Sequence, residues 1–197
     1  MYQALPDTDL LEDGDLSNQF RGLGIHTFHD ACDFVWKLPY GRTSDRADWK
    51  LVLPEKTGSC STKHALLKAL ADELSLDVNL IMGIYAMKEA NTPGVGQVLS
   101  KYNIEYIPEA HCYLEYQGRR IDLTRYGFDS DEQITEFFVE KKISPIDIGE
   151  VKQNFHKDYL WQQYVQEGFE TIWSIREQCI AALSTNKFSR SLTRLPI

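Results

Sequence analysis

Three short stretches of this chain carry side chains suited to nucleophilic chemistry: Gly58-Ser59-Cys60, His111 at the head of HCYLEY, and Asp122 within RIDLT. Cys60 stands where a glycine-containing loop meets CSTKHALLKALADELSL, a run rich in Ala, Leu, Lys and Glu. That composition predicts a strong helix, with Ser59 or Ser61 as its cap. The thiol then falls in the first turn. Unpaired N–H groups and the helix dipole favour a thiolate there, and the Cys60 N–H is placed to donate to an oxyanion. A nucleophile so positioned suits acyl transfer through a thioester. The reaction also needs a base and a group to orient it, and His111 and Asp122 are of those types.

The elements around them decide whether the three can meet. HCYLEYQ alternates as a strand does, Gly118 turns it, and Arg120 to Thr124 is the return partner. With Gln117 and Gly118 as a two-residue turn, Tyr116 faces Arg119, Tyr113 faces Asp122 and His111 faces Thr124. His111 and Asp122 are then diagonal neighbours on one face. A three-residue loop would send them to opposite faces. In the favourable register the carboxylate orients the imidazole and stabilises its charged form.

The order Cys60, His111, Asp122, with GSC, HCYLEY and RIDLT around them, resembles the transglutaminase-like (papain-like) cysteine enzymes. VWKLPY is similar to the helix and Tyr that precede that family's nucleophile loop. The resemblance runs from Phe28 to about Thr124. It implies an α+β fold, with a nucleophile helix packed on an antiparallel sheet and extra C-terminal helices beyond the likeness. It implies a Cys60–His111–Asp122 triad performing cysteine-dependent acyl transfer, or amide or peptide hydrolysis, on a peptide, protein or small amide. No cofactor and no metal are implied, and no calcium-site pattern is present. Tyr40, Trp49 and His64 are the candidates for substrate contact or a second oxyanion donor. The alternative is a non-catalytic domain of the same fold that binds a peptide or protein partner. Cys60, His64, His111 and Asp122 are also zinc-ligand types, but no CxxC pair anchors a closed site.

Composition narrows the setting. The chain has 197 residues and a formal charge of -8, which disfavours nucleic acid and anionic membranes as partners. The first 24 residues lack the pattern of a secretory signal. Four scattered cysteines then read as reduced thiols of a cytoplasmic protein, with Cys32, Cys112 and Cys179 as core. Residues 1–25 are expected to be an irregular lead-in, 26–184 a single domain and 185–197 a tail. Within the domain, spacing predicts a helix over His26–Leu38, a strand buried on both faces over Val78–Met87, and a short helix from Pro93 through Tyr102. It also predicts a helix over Ser130–Lys142, with Ser130 and Gln133 as its capping box. One or two helices are expected over Asn154–Leu183, with Tyr159, Leu160, Tyr164, Val165, Phe169, Ile172, Trp173 and Ile180 as core candidates.

Overall fold

A computed structural model of the chain describes residues 1–127, 134–164 and 168–185. It is an α+β structure with a four-stranded antiparallel sheet. The chain forms two compact units. One comprises Met1–Met82, His111–Gly127 and Glu140–Lys152; the other comprises Gly83–Ala110 and the described residues of Phe128–Val139 and Gln153–Ile197.

After a 3-10 turn at Tyr2–Ala4, the first unit forms a helix inside the stretch expected to be irregular. This is α1 (Asp15–Arg21), which buries Leu16 and Phe20. Its open N-terminus is satisfied from far away: the Glu73 carboxylate accepts from the Leu16 and Ser17 N–H groups at 2.9 and 2.8 Å and from the Ser17 hydroxyl at 2.6 Å. Local sequence carries no sign of such a cap. The next helix, α2 (Phe28–Lys37), is capped by the Thr27 side chain, which accepts from the Asp30 N–H. Spacing predicts a stripe of Phe28, Ala31, Cys32, Val35 and Trp36; the first four are buried and Trp36 is half-buried. A 3-10 turn at Trp49–Leu51 leads into α3 (Val52–Glu55), and α4 (Cys60–Glu73) follows after Gly58. Leu66, Leu67 and Leu70 of α4 are fully buried.

The strands are β1 (Asn79–Met87), β2 (Ile107–Tyr116), β3 (Arg119–Ile121) and β4 (Val139–Ile143), in the order β3-β2-β1-β4. β2 starts earlier than expected and β3 stops at Ile121, short of Thr124. The helix expected over Ser130–Lys142 is corrected where it is described: residues 134–138 are not helical, and β4 is an edge strand. Ser130 and Gln133, its expected capping box, lie outside the described residues. VEKKI contains good helix formers, but pairing overrides their weak preference, and charged side chains are well suited to an exposed edge. Glu140, Lys141 and Lys142 are all exposed.

In the second unit, α5 (Gly96–Lys101) packs against α7 (Phe169–Thr185). The C-terminal stretch thus yields two helices, α6 (Glu150–Gln163) and α7. Leu160, Ile172 and Ile180 are buried, and Tyr159, Tyr164, Phe169 and Trp173 are half-buried. Val165 lies outside the described residues. Among the described residues no helix is long and apolar enough to cross a membrane.

Candidate active site

The site lies within the first unit and begins with how α4 starts. Ser59 and Thr62 form a capping box, the Ser59 N–H donating to Thr62 Oγ1 at 2.9 Å. The Ser59 carbonyl accepts from the Lys63 N–H at 3.0 Å. This cap leaves the Cys60 and Ser61 N–H groups at the helix mouth. The loop before it is tied to the chain after α2. Gly58 N–H donates to Pro39 O at 3.2 Å, and Gly41 N–H donates to Gly58 O at 3.1 Å. Gly58 has no room for a side chain, because a Cβ there would lie 2.8 Å from Lys63 Cγ. That lysine is fully buried. Its ammonium donates to three carbonyls, Leu38 at 2.6 Å, Thr124 at 2.9 Å and Trp36 at 3.3 Å.

The β2–β3 hairpin brings the other two residues. Gln117 and Gly118 have φ of 50° and 74°, the paired positive values of a tight two-residue turn. Tyr116 faces Arg119, Glu115 faces Arg120 and Leu114 faces Ile121. This is the register required for His111 and Asp122 to share a face. His111 Nε2 lies 2.6 Å from Asp122 Oδ2. The second carboxylate oxygen, Oδ1, accepts from the Thr124 N–H at 3.0 Å.

The Cys60 thiol is hydrogen-bonded to the His111 imidazole and also accepts from the Cys112 N–H. Cys60 is 8% exposed and His111 6%. Burial works against a charged thiol, but the Lys152 ammonium, the His111 imidazole and the Cys112 N–H together bring Cys60 down to about 6. Burial also works against a charged His111, and the Asp122 carboxylate and Cys60 overcome it, holding the imidazole up to about 10. Burial disfavours the Asp122 carboxylate, yet His111 keeps it well below the usual carboxylate range. All three shifts favour the charged forms: thiolate, imidazolium and carboxylate. The remaining thiols go the other way. Burial raises Cys32 well above its ordinary value, Cys112 to about 12 and Cys179 to about 11.

The geometry thus joins Cys60, His111 and Asp122. His64, read from sequence as a substrate or oxyanion contact, takes a different position. It is fully buried, with Nδ1 2.7 Å from the Cys60 carbonyl and Nε2 2.8 Å from the Leu123 N–H. Nε2 must accept there, so Nδ1 carries the proton and donates to Cys60 O. Burial lowers the ring to about 4 and keeps it neutral. With both nitrogens engaged it clamps the start of α4 to the segment after β3, and no lone pair remains for a substrate or a metal ion. Among the described residues no group of three or more His, Cys, Asp or Glu is arranged to hold a metal.

Tyr40 bridges to Gly58, two residues before Cys60, with the Arg125 guanidinium 5.3 Å from its ring centre. Trp49 opens the 3-10 turn that packs on α4. Both side chains are partly exposed. Sequence reasoning missed Lys63, Lys152 and the Cys112 N–H. Lone lysines in polar or helical stretches read as solvated charges, and a backbone donor leaves no trace in residue type. Comparison with protein-family models, with curated proteins and with solved structures finds no match.

Proposed function

We propose that this chain is a cysteine-dependent enzyme with a transglutaminase-like core, acting on an amide or ester carbonyl through a thioester. One observation carries the reading: the Cys60 thiol is hydrogen-bonded to an imidazole whose Nε2 lies 2.6 Å from the Asp122 carboxylate. The charge balance at the site supports attack, because it favours a thiolate at Cys60 and a protonated His111. The sulfur adds to the carbonyl carbon, forming C–S, and the carbonyl π electrons move to oxygen. The Cys60 N–H at the helix mouth is the donor for that oxyanion. Collapse breaks the bond to the leaving group, which takes the proton from His111. Water or an amine then attacks the thioester while His111, oriented by Asp122, removes its proton. Thiolate and imidazolium are restored when the product leaves.

The test is acylation of the full chain by a panel of peptidyl amides, activated esters and thioesters, followed by intact-mass and peptide mapping. The expected result is an acyl adduct on Cys60, absent in Cys60→Ala, with turnover lost in the same variant. Full turnover by Cys60→Ala on any donor would overturn the mechanism. If no donor acylates Cys60 and Cys60→Ala only lowers the melting temperature, the chain is a peptide- or protein-binding domain instead.

A further inference from the structure

Beyond Ile121 the chain leaves the sheet, so the peptide groups after Asp122 need partners elsewhere. Side chains of α4 and α2 supply them. The Leu123 N–H donates to His64 Nε2 at 2.8 Å. The Thr124 carbonyl accepts from Lys63 Nζ at 2.9 Å, and the Arg125 carbonyl accepts from Trp36 Nε1 at 2.8 Å. Inside this frame the Thr124 N–H donates to Asp122 Oδ1 at 3.0 Å, which leaves Oδ2 to meet His111 at 2.6 Å.

Lys63 and His64 lie one turn beyond Cys60 on the same helix. Both are fully buried. Lys63 donates to the Trp36, Leu38 and Thr124 carbonyls, three donations that only the ammonium form can make. His64 Nδ1 donates to the Cys60 carbonyl at 2.7 Å, so one neutral ring links that carbonyl to the peptide following Asp122. His64 Nε2 is 3.7 Å from Asp122 Oδ1, and because it accepts from Leu123 it has no proton to give the carboxylate. Its hold on Asp122 therefore runs through the backbone.

Resting on the reading of Cys60, His111 and Asp122 as the reacting groups, we infer that His64 and Lys63 are positioning residues that act through Asp122. They fix the backbone on its C-terminal side, and with it the angle at which the carboxylate meets His111. The helix that presents Cys60 thus also holds Asp122, through these two side chains. A merely structural pair would move only the melting temperature. This role also moves the ionisation of His111, which faces Cys60 of α4 and Asp122 after β3, with its ring centre 6.5 Å from that of His64.

The measurement is an NMR titration of the His111 ring in the full chain carrying isotope-labelled histidine, with thermal melts alongside. In wild type the ring should lose its proton at about 10. His64→Asn keeps a donor for the Cys60 carbonyl but does not reach Leu123, and should lower that midpoint by about one unit or more. His64→Gln places its oxygen where Nε2 stood and should stay close to wild type. Lys63→Met should also lower the midpoint. Removing a neighbouring cation would by itself raise it, so a fall identifies a displaced carboxylate. In an Asp122→Asn background none of these changes should lower the midpoint further. Should Lys63→Met fail to fold, the two His64 variants decide. An unmoved midpoint in His64→Asn overturns the inference, as does a raised one in Lys63→Met, a glutamine variant shifted as far as the asparagine one, or a further fall in the Asp122→Asn background. A wild type in which His111 is not raised would overturn the triad reading itself, and the inference with it. Because the titration needs no substrate, the expected shifts uphold the roles of His64 and Lys63 even where no acyl donor is turned over.

Discussion

A thiol covered by protein ordinarily stays protonated, because burial penalises the charged form. Cys32, Cys112 and Cys179 follow that rule, and Cys60 departs from it through the groups at its own sulfur. Selective labelling should follow. Brief iodoacetamide exposure at pH 7, mapped by mass spectrometry, should modify Cys60 well before the other three; equal labelling would remove the thiolate from the argument. Turnover should be bell-shaped in pH. It rises as Cys60 loses its proton near 6 and falls as His111 loses its own near 10. Asp122→Asn removes the negative charge that raises His111, so the falling limb should move to lower pH and some activity should survive. His111→Ala should be as inactive as Cys60→Ala, and the double variant little worse, because the two act as a unit. These residues were legible because each belongs to a short local pattern. Lys63 was not, since its burial depends on carbonyls of Trp36, Leu38 and Thr124 far from it in sequence.

At the scale of elements, legibility depended on whether the determining contacts were local. The β2–β3 hairpin was legible because a two-residue turn fixes the register of every pair behind it. The beginning of α4 was legible because Gly, Ser and a strong helix former follow one another. By contrast α1 depends on Glu73, and β4 depends on sheet pairing that overrides its Glu and Lys content. The loop into α4 offers a sharp test. In Gly58→Ala the new methyl would sit 2.8 Å from Lys63 Cγ and 3.3 Å from Val52 Cγ2. Neither neighbour yields easily: Lys63 is held by three carbonyls and Val52 is fully buried. Overpacking of this kind costs about 1–3 kcal/mol. A shift of the loop away from these side chains displaces Cys60 with it, so thermal stability and the alkylation rate at pH 7 should fall together. A variant that melts and labels like wild type would show that the loop tolerates a side chain and that Gly58 is not required by the nucleophile.

At the scale of the molecule, each compact unit has its own buried charge system. In the first, His111 lies between the Cys60 thiol and the Asp122 carboxylate. In the second, Arg176 of α7 holds Glu109 of β2 through Nε at 2.6 Å and Nη2 at 2.5 Å. Both side chains are buried, at 7% and 5% exposure. Burial disfavours the Arg176 charge, and the Glu109 carboxylate overrides it, keeping the guanidinium charged at any accessible pH. His156, whose Nε2 lies 2.8 Å from the Pro108 carbonyl, sits beside the pair. This arrangement fixes helix to strand, so its disruption should appear in stability and leave the Cys60 thiol chemistry alone. Arg176→Met strips the bidentate partner from a buried carboxylate, a change that costs about 3–5 kcal/mol. Arg176→Met combined with Glu109→Leu removes the stranded charge as well and should recover much of that loss, since apolar replacements of buried ion pairs are often nearly neutral. Thermal melts of the two variants against wild type decide this, and a double variant no more stable than the single would place the loss in packing and not in charge. Below the melting transition, Cys60 should still alkylate with a midpoint near 6 in both variants, because every group that sets its charge lies in the other unit. A midpoint displaced by Arg176→Met would mean that the nucleophile's ionisation depends on the second unit's ion pair.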